Sequence, residues 1–141
     1  MVPHTVIVDF AVALLVTSLV SDALAALAEE DDLRIVATWT LVFGTLAACF
    51  AGLSGYAALD AAAPTDAALE TTLRHRNAGL TTIACFLPVA IWRIAAGGRP
   101  PERATTLYWV LSCVGLSALV LTAYLGGAAV FRHGVGVGLG G

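Results

Sequence analysis

Four apolar runs, at about residues 6–27, 35–59, 78–96 and 105–130, constrain this chain more than anything else in it. A bilayer core takes about 20 apolar residues in helical form, and every run is close to that length or beyond it. The second and fourth hold no charged side chain, the first is interrupted by Asp9 and Asp22, and the third contains Pro88 and Arg93. All four are too long for strands and lack the alternation of a membrane barrel. Composition agrees: 59% of the 141 residues are hydrophobic and 12% charged, against roughly a quarter charged in a soluble domain. Disorder is excluded by the same hydrophobicity. The expected fold is all-α, an integral membrane four-helix bundle in up-down antiparallel order, with residues 1–141 forming one transmembrane domain.

The links support the count. AEEDDLR separates the first two runs and GGRPPER the last two, and in the second link Gly97, Gly98, Pro100 and Pro101 stop one helix before the next. Short links make antiparallel neighbours. The middle link is longer, but Pro64-Thr65-Asp66 reads as a helix start, so a helix from Thr65 is expected to run on into the third span. The N-terminus, middle link and C-terminus then share one side, here the near side, and the two short links share the far side. Trp39, Trp92 and Trp109 fall at the far-side ends of their spans, with Tyr108 beside them, as an interfacial aromatic belt.

Net charge is -3, lysine is absent, and the seven arginines are dispersed, so no nucleic-acid footprint exists. Cys49, Cys85 and Cys113 lie in apolar runs without metal-site spacing and read as small buried hydrophobes. The first residues lack the basic segment of a signal peptide and read as uncleaved. Arg74, Arg76 and Arg132 on the near side face Arg34, Arg93, Arg99 and Arg103 on the far side. That small bias places the near, histidine-bearing face in the periplasm of a bacterial inner membrane.

Polar residues within or beside the spans are the candidates for function. His4, His75 and His133 all fall on the near side. Counted along the helices from Leu27 and Trp92, Asp9 and His75 lie about 27 and 26 Å from the far end, and His4 and His133 about 35 and 36 Å. Asp22 is expected to reach the far interface or Arg34, and Arg93 to snorkel there.

The opening His4-Thr-Val-Ile-Val-Asp-Phe-Ala-Val-Ala-Leu-Leu15 and the close Tyr124-Leu-Gly-Gly-Ala-Ala-Val-Phe-Arg-His-Gly-Val-Gly-Val137 resemble those of a family of small bacterial membrane proteins, the domain of unknown function 2231. Gly55-Tyr56, Leu59-Asp60 and His75 also fit, and the resemblance spans essentially the whole chain. Thr5 stands where that family usually has proline, and Asp9 where a second histidine is expected. The resemblance implies a companion or fusion partner of redox proteins such as iron–sulfur proteins and quinoprotein dehydrogenases, hence an electron-transfer setting.

Three chemistries suit these residues. A haem b needs two neutral imidazoles at one depth on different helices, which His4 and His133 meet, with Gly126, Gly127 and Gly134 leaving room and Arg76 or Arg132 pairing the propionates. A single transition-metal ion would take ligands from His4, His75, His133 and Asp9, although a depth spread of about 9 Å disfavours all four together. Asp9 beside His75 would accept a proton at a quinone headgroup. These readings make the chain a membrane electron-transfer or anchor subunit between a peripheral redox partner and the quinone pool, more a non-catalytic subunit than an enzyme. The alternative is a cofactor-free structural subunit whose histidines are merely interfacial. No HExxH or phosphate-binding loop supports a hydrolase.

Overall fold

The computed structural model describes residues 2–62, 66–100 and 102–135. Four helices hold nearly all of them: α1 (Val2–Ala28), α2 (Asp31–Ala62), α3 (Asp66–Ala95) and α4 (Thr105–His133), with a 3₁₀ turn at Glu102–Ala104 leading into α4. No strand occurs among the described residues. All four helices are long and apolar enough to cross a bilayer. The fold is the all-α membrane bundle expected.

The helices outrun their apolar cores for local electrostatic reasons. α2 starts at Asp31, not Ile35, because Asp31 and Asp32 sit in its first turn, where carboxylates favour the positive end of the helix dipole. α3 begins twelve residues before its apolar run, and its polar entry carries the Glu70–Arg74 pair at 2.7 Å, one turn apart. Thr65, the expected start, lies outside the described residues. At the far end of α3, Gly97 and Gly98 take φ values of +70° and +84°, which side-chain-bearing residues rarely adopt. The Gly98 N–H donates to the Arg93 carbonyl at 2.9 Å and so closes the helix.

The chain packs as two tight hairpins, α1 on α2 and α3 on α4. α2 lies against α3 and closes one seam, the α1/α4 seam is much more sparsely packed, and α1 and α3 occupy opposite corners. Leu15, Leu41, Phe86, Val89, Tyr108 and Leu119 fill the centre. Each hairpin closes on a glycine. A Cβ on Gly44 would stand 2.9 Å from Leu15 Cγ, and one on Gly115 2.8 Å from Phe86 Cε2. Such close backbone approach is how membrane helices gain contact where lipid already solvates apolar side chains.

The outer face is as apolar as the interior, with Phe10, Phe50, Leu53 and Phe131 all exposed. Four buried hydroxyls are satisfied, Ser18 by the Ala37 carbonyl across α1 and α2 and Thr82, Ser112 and Thr122 within their own helices, whereas buried Thr45 Oγ1 has no partner among the described residues. Of the three cysteines only Cys85 is buried; Cys49 is half-buried and Cys113 exposed. This corrects the expectation that all three are interior, because in lipid an apolar run carries no information about which face points inward.

Candidate functional site

The near end brings two histidines into comparable surroundings. His4, in the first turns of α1, sets Nδ1 2.8 Å from the Ser54 hydroxyl of α2. That hydroxyl also stands 3.1 Å from the Ala51 carbonyl, so that carbonyl and the ring compete for its one hydrogen. His75 of α3 sets Nδ1 2.8 Å from the Thr122 carbonyl of α4, and a carbonyl only accepts. The His75 ring therefore carries its proton on Nδ1 and leaves Nε2 as a lone pair. Hydrogen bonding that fixes one nitrogen and frees the other is how a ligating imidazole is oriented.

Glycine makes room for each ring. A Cβ on Gly55 would lie 3.3 Å from His4 Cε1, and one on Gly126 3.0 Å from His75 Cε1. Both rings are half-buried.

The two histidines also share a depth, which corrects the two levels estimated from helix ends. Asp22 and Arg93 touch at the far end, and His4 and His75 each lie 18 residues before them on helices that run in the same direction, or about 27 Å along the axis. The estimate erred because Trp92 is level with the region of Asp22, not with Leu27.

His133 is placed differently. It is exposed near the end of α4, its Nε2 3.3 Å from Thr71 Oγ1, one turn further out than His75. It borders a surface cleft of about 420 Å³ lined also by Glu70, Arg74, Tyr124 and Arg132. Arg132 lies over the Tyr124 ring, 5.8 Å from its centroid, and donates to the Tyr124 hydroxyl at 3.2 Å. Arg76 lies 5.9 Å over the Tyr56 ring, and its Nε is buried without a hydrogen-bond partner among the described residues. Asp9 is exposed on the outer face of α1, as its five-residue spacing from inward-facing His4 requires. No group of three or more histidine, cysteine or acidic residues stands together for a metal among the described residues. His4, His75, His133 and Asp9 are thus not gathered as one four-ligand set; His4 and His75 make the matched pair.

The far end holds a cluster that the sequence reading did not assemble. Arg93 is fully buried rather than snorkelling, and Asp22 is 3% exposed. Arg93 Nη1 lies 2.7 Å from both Asp22 oxygens and donates to the Tyr108 hydroxyl at 2.8 Å, while that hydroxyl donates to Asp22 Oδ2 at 2.8 Å. Arg93 Nε reaches the Gly98 carbonyl at 2.7 Å and Thr38 Oγ1 at 3.1 Å, and Nη2 the Arg34 carbonyl at 3.2 Å. Tyr108 is accordingly interior and not part of an aromatic belt. The available signal was one acid and one base inside different spans, because two such charges in lipid are expected to pair.

A family model for predicted membrane proteins matches residues 3–139. The chain belongs to the DUF2231 family. No curated protein and no solved structure gives a significant match. For this DUF2231 chain the matched span takes in every residue of both clusters, from His4 to His133, and the family description agrees with the four membrane-crossing helices.

Proposed function

We propose that this DUF2231 protein is a membrane electron-transfer or anchor subunit that holds haem b or a transition metal ion at its near end. There it links a peripheral redox partner to the quinone pool, in a bacterial inner membrane with the near face periplasmic. The observation that carries the reading is the pair of half-buried imidazoles on different helices, each held through Nδ1 at 2.8 Å from the neighbouring helix. Imidazoles so held would suit a haem iron or a borderline metal ion. Arg76, whose buried Nε has no hydrogen-bond partner among the described residues, supplies a cation for a propionate or another anionic group. Bound there, the metal would supply one-electron chemistry. The chain's residues fix the imidazoles, shield them from water and offset negative charge. Asp9, at the lipid face, is the proton acceptor in this scheme if a quinone headgroup docks against the outside of α1.

The test is a spectrum of the protein purified from membranes. A Soret band that shifts on dithionite reduction, or a stoichiometric metal by elemental analysis, supports the reading. Folded protein that has neither, even after hemin or metal is supplied, overturns it and leaves the cofactor-free structural subunit. The far-end lock favours that second reading, since it ties all four helices together with no cofactor.

A further inference from the structure

Two contacts define the register of each hairpin, and they are the same two contacts. In the first hairpin His4 packs on Gly55 and Leu15 on Gly44; in the second His75 packs on Gly126 and Phe86 on Gly115. Each member of the second set lies 71 residues after its counterpart. Buried positions obey the same shift: Ala11, Leu15, Ser18 and Asp22 in α1 correspond to Thr82, Phe86, Val89 and Arg93 in α3, all of them buried. In the other helices Leu41, Ala48 and Ala51 correspond to buried Ser112, Leu119 and Thr122. Burial at three- and four-residue steps recurs on any bundle helix and decides little alone. Two glycine contacts at one offset, on both helices of both hairpins, do decide it.

The offset places an axis. Both hairpins start at the near end and run the same way, so a two-fold relating them lies along the membrane normal, as in transporters with parallel repeats, and it is approximate, since the α2/α3 seam is closed more tightly than its equivalent α1/α4. It exchanges α1 with α3 at opposite corners and α2 with α4. Equivalent residues can touch only on such an axis. Asp22 and Arg93 are equivalent and lie 2.7 Å apart, so the axis passes between them. Eighteen residues away, at the other end, it passes between His4 and His75.

We propose that the chain is two copies of one helical hairpin, and that His4 and His75 are the equivalent imidazole ligands of a single metal centre, an iron porphyrin or a bare transition-metal ion, on their two-fold axis. The repeat stands on the contacts alone; its metal centre rests on the proposed function. His133 is outside the symmetric pair. It sits one turn further out, on Thr71, and its ring is not part of either hairpin's glycine contact.

The experiment is a titration of the purified full-length protein in detergent with hemin, and in parallel with Co²⁺ and Cu²⁺, followed by absorbance. The variants are His4→Asn, His75→Asn and His133→Asn. The asparagine amide stands near the place of Nδ1, which preserves the hydrogen bond to Ser54 or Thr122 while removing Nε2; circular dichroism checks that each variant keeps its helix content. The expected result is one equivalent bound, abolished alike in His4→Asn and His75→Asn and unchanged in His133→Asn. Ser54→Ala, which frees the His4 ring, weakens binding about 10- to 100-fold. The hemin and ion arms identify which metal centre is held. Should binding survive His75→Asn and vanish in His133→Asn, the symmetric assignment is wrong while the proposed function stands. If the folded wild type binds neither hemin nor ions, both fall. If the asparagine variants unfold, His4→Gly and His75→Gly with added imidazole replace them, and a failure of imidazole to restore binding counts against the assignment.

Discussion

Replacing Asp22 by asparagine removes one charge and almost no volume from the most enclosed polar cluster in the protein. In the wild type the Arg93 guanidinium has five acceptor groups around it, and only Asp22 carries a compensating charge. The asparagine still offers one oxygen, so steric fit survives while a buried cation is left without its counter-ion. Breaking a buried pair from one side costs about 3–5 kcal/mol. Tyr108→Phe removes only a hydroxyl and leaves both Asp22 oxygens on the guanidinium, so about 1–3 kcal/mol is expected. Asp22→Leu combined with Arg93→Met removes both charges and should cost much less than Asp22→Leu alone or Arg93→Met alone. The measurement is reversible unfolding in mixed micelles with increasing dodecyl sulfate, followed by circular dichroism and tryptophan fluorescence. Trp109 is a local reporter, since its ring meets Tyr108 edge-on at 5.5 Å. A double variant that loses as much as the two singles added together would refute the coupling. So would an Asp22→Asn protein within about 0.5 kcal/mol of wild type, because surface changes are of that size and the cluster would then behave as if it were open to water.

Gly115→Val should destabilise by about 1–3 kcal/mol, because its Cβ meets Phe86 at 2.8 Å and Cys85 at 3.0 Å in a closed core. Gly79→Ala, whose Cβ would meet Thr122 Cγ2 at 3.7 Å, should instead stabilise by up to about 1 kcal/mol through helix propensity, and the same unfolding assay checks both. A lipid-soluble maleimide should label Cys113 fast and Cys85 only on unfolding, read by mass spectrometry; equal rates would contradict the packing. Arg99→Ala should change stability by less than about 1 kcal/mol, since its contact with Asp31 at 3.3 Å joins two exposed side chains.

Length and hydropathy made the four helices legible, because a bilayer demands both of any spanning segment. Helix ends were less so. Asp31 starts α2 for reasons of dipole and solvation that a hydropathy window scores as an interruption. The hydrogen bonds and the shared depth of His4 and His75 depend on which helix faces which. That needs the rotational phase of each helix, and a membrane span with an apolar outer face conceals it. Phe10 and Leu15 are equally apolar in the sequence, yet one is 62% exposed and the other not at all. Arg93 was misplaced for the same reason: an arginine near a span end reads as a snorkelling residue until Asp22 is seen at its level. The 71-residue repeat was present in the sequence as two histidines and four glycines at one spacing. It became meaningful only when each glycine was seen against its partner on the neighbouring helix.

The two ends of the proposed axis differ in a way that bears on what lies between the histidines. Any group on a two-fold axis faces its own equivalent. Two identical carboxylates or two identical guanidinium groups at the far end would leave like charges buried together, a costly arrangement in a dry interior. In the chain as it stands those positions hold an acid and a base, which satisfy each other directly. At the near end the equivalents are still both histidine, and each sets Nδ1 2.8 Å from a group on the other helix of its own hairpin. Where both carry the proton on Nδ1, the two Nε2 lone pairs cannot bond each other, since neither has a proton to give. Identical acceptors become complementary through a third group that serves both, such as a water that donates one hydrogen to each, a shared proton or a metal centre. The proposed metal centre is the one of these that the hemin and ion titrations detect, and loss of binding in both His4→Asn and His75→Asn is what separates it from a water.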